Sequence, residues 1–297
     1  MRMYLECIPC MFNQGIFAAR QAELSPEGQK EVLDALACLV PRISMKASPP
    51  EIAVEVYRVI REKTGLVDPF AAVKRESNEN ALAVYPEMLR RVKGSVDPLS
   101  LAVQIAISGN IIDYGANIRI DLKEEICRIL DEEASAIAGE EKRLFDLEAF
   151  RSALSAAREI LYIGDNAGEI VFDRVLIETL LRLYPDVTIR YAVRGEPIIN
   201  DVTLEDALAV GMDRVCEVVD SGSPAPGAVP ALCSPAFRRL LETADLIISK
   251  GQGNYEALSG TDYPVFCLLR VKCPVIAADI PAHLGDVCLF RAEARKV

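Results

Sequence analysis

Histidine is nearly missing from this chain. Only His283 is present, late in the sequence beside Pro281, so an imidazole-based triad or a His-rich zinc site has little to build on. A basic excess is missing too. The 33 Lys and Arg face 44 Asp and Glu, giving a net charge of -11 and a pI near 4.8. That is the wrong sign for nucleic acid or an anionic membrane surface, both of which reward clustered Lys and Arg. No apolar run approaches the roughly 18 residues that a membrane span requires. Met1-Arg2-Met3-Tyr4-Leu5-Glu6 also lacks the apolar core of a secretion signal. These absences predict a soluble cytoplasmic protein with neither a nucleic-acid nor a membrane partner.

Several motifs are present only in part. Cys7-Ile-Pro-Cys10 is a CxxC without a second CxxC to complete a four-thiolate zinc site. It is a redox pair, half of a metal site, or simply a packed first helical turn containing Pro9. The nine cysteines are an odd number, and Cys38, Cys127, Cys216, Cys267 and Cys288 sit singly in apolar segments, as small core residues with reduced thiols. Neither Gly164 to Gly168 nor Gly251-Gln-Gly253 completes the G-x-G-x-x-G of a dinucleotide fold. The Asp-x-Asp of haloacid dehalogenase-type phosphatases is absent, because Asn166-Ala167 follows Asp165.

What is present divides the chain in two. Half of its 297 residues are apolar, enough for one large core or two ordinary ones. From Met11 to about Ala157 the periodicity is helical and the start signals are legible. Ser25-Pro26, the capping boxes Ser48-Pro-Pro-Glu51 and Asp121-Leu-Lys-Glu124, and Asp68-Pro69, Asp97-Pro98 and Asp146 all read as caps. Residues 1–157 are therefore expected to form an all-helical region of six to eight helices. Lys74 and Asn78 fall at i and i+4, on one helix face that is either solvated or turned toward a site. In Ser108-Gly109-Asn110-Ile-Ile-Asp113, Gly109 and Asn110 suit a helix terminator, but Asp113 has no such reason to be there.

Past Ile160 the pattern becomes alternating strands and helices. Ile160 to Ile163, Val187 to Val193, Val215 to Val219, Asp245 to Ser249, Pro264 to Leu269 and Val287 to Phe290 read as strands. Helices are expected at Glu169 to Leu183 and Leu204 to Val210, and Ser221 to Pro230 is too rich in Pro and Gly for either element. This is the signature of a mostly parallel sheet flanked by helices over residues 158–297.

In such a sheet the residues following each strand gather at one rim, where ligands bind. Asp165 and Asn166 follow the first strand, Arg194 to Asp201 the second, Asp220 the third and Lys250-Gly-Gln-Gly-Asn254 the fourth. Carboxylate and amide oxygens suit a hard divalent cation. Lys250 in a Gly-rich turn and the helix N-terminus after Gly168 suit a phosphate. Metal, lysine and phosphate together point to phosphoryl chemistry. Two other readings stay open: an adenosylmethionine-dependent methyltransferase, with Glu196 as the ribose acid, and a non-enzymatic metal or nucleotide sensor.

Taken together, Gly164-Asp-Asn-Ala-Gly-Glu169, Asn200-Asp201-Val-Thr203, Lys250-Gly-Gln-Gly-Asn254, Cys7-x-x-Cys10, Lys74-x-x-x-Asn78 and Gly109-Asn110-x-x-Asp113 resemble the DUF89 family of damage-control phosphatases. The resemblance is to its CxxC-bearing, archaeal-type branch and spans nearly the whole chain. It implies a three-layer α/β/α sandwich behind the helical N-terminal region. It further implies hydrolysis of small phosphorylated metabolites with a divalent metal, Mn2+ or Ni2+ foremost and Co2+ or Mg2+ as alternatives. The implied metal ligands are Asp165, Asn166 and Asp201, and the implied catalytic set is Asp165, Asp201 and Lys250. Lys250, Gly251 and Gly168 would bind phosphate, with Asn78, Asn110 and Asp113 closing the pocket. The Arg-Thr-x-Lys signature of other branches is missing, so their substrate preferences do not carry over.

Overall fold

The apolar runs of the C-terminal half form six strands: β1 (Glu159–Ile163), β2 (Thr188–Val193), β3 (Glu217–Asp220), β4 (Leu246–Lys250), β5 (Val265–Arg270) and β6 (Val287–Arg291). The computed structural model describes residues 1–109 and 144–293. Asn110, Asp113, Cys127 and the Asp121 capping box lie outside them. The strands form one sheet in the order β3-β2-β1-β4-β5-β6. All neighbours are parallel except β6, which runs antiparallel to β5.

That order matters for function. The chain steps outward from β1 to β2 and β3, then returns past β1 to start again at β4. The reversal opens a crevice outside the carboxyl ends of β1 and β4, the place where open α/β sheets bind ligands.

Side-chain alternation fixes the layers. Ile160, Tyr162, Tyr191, Val193, Leu246, Ile248, Phe266 and Leu268 point to one face, and Leu161, Ile163, Ala192, Ile247, Cys267 and Leu269 to the other. The first face is covered by α7 (Glu169–Leu183), α4 (Ala71–Gly94) and α5 (Pro98–Ser108), whose buried residues join the same cluster. Since α5 is buried from Leu99 to Ser108 except at Leu101, it reads as a helix surrounded by protein rather than a surface one. The second face is covered by α9 (Pro235–Thr243), α10 (Gly251–Leu258) and α11 (Pro274–Asp279). Together these make the three-layer α/β/α sandwich.

The N-terminal region is helical in α1 (Cys7–Gln21), α2 (Pro26–Ala37), α3 (Pro49–Thr64), α4, α5 and α6 (Leu147–Ala156). Four caps form as read: Ser25 accepts from Gly28 N, Ser48 and Glu51 close a capping box, and Asp97 and Asp146 each accept from a first-turn amide. Asp68 does not cap α4, whose N-cap is Phe70, and accepts from the Phe70 amide instead. The first three helices pack a separate core around Ala18, Val32, Tyr57 and Ile60, joined by Phe70 and by Ile198 from the loop after β2. Thus α1 to α3 stand over the rim, while α4 and α5 belong to the sandwich core.

Three local expectations are corrected. The third strand starts at Glu217 rather than Val215, because Met212–Arg214 forms a 3-10 turn that shifts the chain before it pairs. Cys38 is exposed, just after α2 ends, whereas Cys267 and Cys288 are buried and Cys216 is half-buried. Lys74 is buried rather than solvated. No helix of the described residues is long and apolar enough to cross a membrane.

Candidate active site

The rim is built outward from a buried floor. Glu169 and Asp173 lie at i and i+4 on α7, the helix that follows β1, and both are buried. Asp173 is saturated: Tyr162 Oη donates to its Oδ1 at 2.7 Å, Tyr191 Oη to its Oδ2 at 3.0 Å, and Lys250 Nζ to its Oδ1 at 2.5 Å. Burial pushes both phenols well above their ordinary pKa, and the Asp173 charge adds to it, so they remain donors. Gly164 lets Tyr191 come this close, because a Cβ there would overlap its hydroxyl. Burial alone would lower the pKa of Lys250, but Asp173 and Glu169 outweigh it and hold the ammonium charged.

Above this floor the oxygens crowd. Asn166 Nδ2 donates to Glu169 Oε1 at 2.7 Å and to Asp165 Oδ2 at 3.1 Å. Glu169 Oε2 is buried without a hydrogen bond, 3.6 Å from Lys250 Nζ. Arg194 Nε donates to Asp201 Oδ2 at 2.6 Å, and Arg194 Nη2 lies 3.7 Å from Asp165 Oδ1. Both terminal nitrogens of Arg194 are buried and unbonded. Burial, then the charges of Glu169 and Asp201, raise Asp165 well above the usual carboxylate range, against the pull of Arg194 and exposed Lys272. Asp201 is raised as well, by burial first.

The loop after β2 brings Asp201 here by an unusual turn. Ile199 has φ 47°, a left-handed conformation that a β-branched residue adopts at a cost of about 1–3 kcal/mol. Ile198 is anchored in the core of α1 to α3. Asp201 N closes on Ile198 O at 3.0 Å, Asn200 O accepts from Ala167 N at 2.9 Å, and Val202 N donates to Asp165 O at 2.8 Å. Asn166 and Asp201 pair as an isolated bridge.

The other expected residues take distinct places. Gly251 has φ 75° and its Cα lies against the Asp165 carboxylate, where any Cβ would overlap Oδ2, so Lys250-Gly251 shares the rim with Asp165. Asn254 ties the strand ends together, donating to Gly164 O at 3.0 Å and Lys250 O at 2.8 Å and accepting from Ala228 N at 2.9 Å. Asn78 reaches the rim from α4, but its Oδ1 accepts from Gly168 N at 2.7 Å. That amide is therefore engaged by protein rather than left for a phosphate. Lys74 holds Asp206 at 2.8 Å and Asp68 at 2.9 Å, a brace between α4 and α8 (Leu204–Ala209). Tyr57 is buried, with the charges of Asp201 and Cys10 adding to burial in raising its pKa. His283 is exposed near Asp286.

Cys7 and Cys10 occupy the first turn of α1. Cys7 is half-buried and Cys10 exposed; partial desolvation raises both thiols, and nearby Glu256 adds to it. Glu196, the ribose acid of the methyltransferase reading, is exposed and paired with Arg61 at 3.5 Å.

The fold and rim define an α/β protein with a buried, acid-rich site at its strand-order reversal. The chain matches the damage-control phosphatase ARMT1-like domain over residues 3–287. It is 33% identical to a damage-control phosphatase of Archaeoglobus fulgidus, covering 95% of this chain and 96% of that one. It is 32% identical to a damage-control phosphatase of Pyrococcus horikoshii, over 98% of each. The crystal structure of a DUF89 family protein from P. horikoshii superposes with a TM-score of 0.88 at 30% identity, covering 99% of this chain and all of that one. This chain belongs to the ARMT1-like, DUF89 family of damage-control phosphatases.

Motif reading misses two parts of the site: Asp173 looks like an ordinary polar position on a helix, and Arg194 lies in the post-strand run with no role assigned. The one hint available was that Glu169 and Asp173 share a face of a helix starting at the rim.

Proposed function

We propose that this chain is a metal-dependent phosphomonoester hydrolase of small phosphorylated metabolites, with a damage-control role. One observation carries the reading: excess buried carboxylate sits beside unsatisfied guanidinium nitrogens. Asp165, Glu169, Asp173 and Asp201 face only two buried cations, Lys250 and Arg194, leaving two carboxyl groups without a cationic partner. Buried charge without compensation is costly. Among the described residues no three His, Cys, Asp or Glu side chains are gathered as a ready metal cage. The donor set is instead two carboxylates and an amide, Asp165, Asn166 and Asp201, and its oxygens and charge suit a divalent cation with open positions.

When bound, such a cation would supply Lewis acidity to a phosphoryl oxygen and offset the excess charge. Arg194 presents its two free nitrogens to phosphoryl oxygens, a bidentate pairing that fixes orientation. Lys250, held charged on Asp173, adds a fixed positive charge where negative charge grows in the transition state. Glu169, with a free oxygen, orients an attacking water. Asn166 links Asp165 to Glu169 and holds both carboxylates in place.

Hydrolysis of p-nitrophenyl phosphate tests this with Mn2+ and then with chelator. Asp165→Ala and Asp201→Ala should each lower metal-dependent turnover by roughly 100-fold or more, several kcal/mol of lost charge stabilisation. Unchanged turnover in both variants refutes the assignment. Metal-free binding of adenosylmethionine would favour the methyltransferase instead.

A further inference from the structure

Helix α7 runs from the rim to the opposite, amino edge of the sheet. There its last turns, the end of α4 and the 3-10 turn Met212–Arg214 border an open, solvent-facing cleft of about 430 Å3. The walls carry Lys93, Arg174, Arg182 and Arg214 against one acid, Glu178. In a chain of net charge -11, that is a local inversion of sign. Glu178 is already engaged, accepting from Arg174 Nε at 2.9 Å and Tyr85 Oη at 2.5 Å. Arg174 is fixed as well, donating to Val210 O at 2.8 Å and lying over the Tyr85 ring. Lys93, Arg182 and Arg214 have no carboxylate partner within 4.0 Å among the described residues.

Helix dipoles explain part of this. Lys93 and Arg182 lie in the last turns of α4 and α7, where positive charge is favourable. They do not explain Arg214, which lies on neither helix and comes beside Arg174 where the chain turns at Gly211. They also do not explain the cleft, whose volume is in the range of small-ligand sites. Leu181 and Val215 give it an apolar wall.

We propose that this cleft is a second ligand site, taking a small metabolite that carries a di- or triphosphate group. The phosphates meet Arg182, Arg214 and Lys93, and the organic part lies on Leu181 and Val215. Because α7 also carries Glu169 and Asp173 at its other end, the occupant touches the same rigid element that floors the rim.

The test is calorimetric titration of inorganic pyrophosphate, in chelator and low salt, into three proteins: wild type, the rim variant Asp165→Asn, and Arg182→Glu/Arg214→Glu. Wild type and Asp165→Asn should bind with the same Kd, weakening as salt rises. The double reversal should weaken binding at least tenfold. Both substitutions fall on exposed side chains, so fold and phosphatase turnover should be retained; if expression fails, Arg214→Gln should give a smaller loss in the same direction. No binding by wild type, binding that survives the double reversal, or loss in Asp165→Asn alone would each overturn the proposal. Because the readout needs neither metal nor turnover, it stands or falls apart from the phosphatase reading.

Discussion

Two buried clusters of lysine and aspartate lie in this molecule, and they differ in how completely they are satisfied. In the brace, Lys74 pairs with both Asp68 and Asp206, Asp206 also accepts from Thr203 N and Oγ1, and Phe70 N donates to Asp68. At the rim, Lys250 and Arg194 face four carboxylates, with an acceptor on Glu169 and two donors on Arg194 left over. Both clusters set aspartates around a buried lysine, so that pairing by itself does not separate structure from chemistry. What separates them is the unspent charge and hydrogen-bonding capacity of the rim, the mark of a site built to receive something.

The comparison breaks most visibly under substitution. Lys74→Met should lower stability by about 3 kcal/mol in a denaturant melt, because it leaves buried Asp206 and half-buried Asp68 without a counter-charge, while turnover of the folded protein stays within about twofold. Asp165→Asn should do the reverse, abolishing turnover while raising the Tm of chelated protein by removing excess buried charge. If both substitutions shift stability in the same direction, the distinction between the clusters fails.

Ligand removal gives a somewhat smaller effect. Mn2+ at 100 times its Kd should stabilise wild type by about 2.7 kcal/mol, raising Tm by roughly 4 °C over chelated protein. In Asp201→Asn the shift should largely vanish, and in a Lys74 variant it should persist.

A control outside both clusters gives the smallest effect. Burial pushes Glu256 up to about 7, with the N-terminal amine opposing. A carboxyl whose folded pKa is raised binds its proton more tightly when folded, so stability falls as pH rises from about 4.3 to about 7 and is flat beyond. Glu256→Gln should flatten that part of the melting profile, raising Tm at pH 8 but not at pH 4, without altering Mn2+ dependence.

These contrasts also show what was legible in the sequence. The sheet was, because its strands are apolar runs closed by Asp, Gly or Pro, and Gly164 to Glu169 and Lys250 to Asn254 stood out as loops with unusual chemistry. Pairings were not. Lys74 and Asp206 are 132 residues apart, and nothing local distinguishes a lysine that braces two elements from a solvated one. Asp173 was hidden because one polar residue on a helix has no pattern until Tyr162, Tyr191 and Lys250 converge on it. That α4 and α5 complete the sandwich likewise depends on tertiary contact rather than on periodicity.

The central claim is that the excess charge of the rim receives a divalent cation between Asp165 and Asp201. Anomalous diffraction from crystals grown with Mn2+ tests it directly. The account predicts one strong peak within coordination distance of Asp165, Asn166 and Asp201, on the Lys250 side of the sheet. A peak elsewhere, at Cys7 and Cys10 for example, or none while turnover still depends on Mn2+, would contradict it.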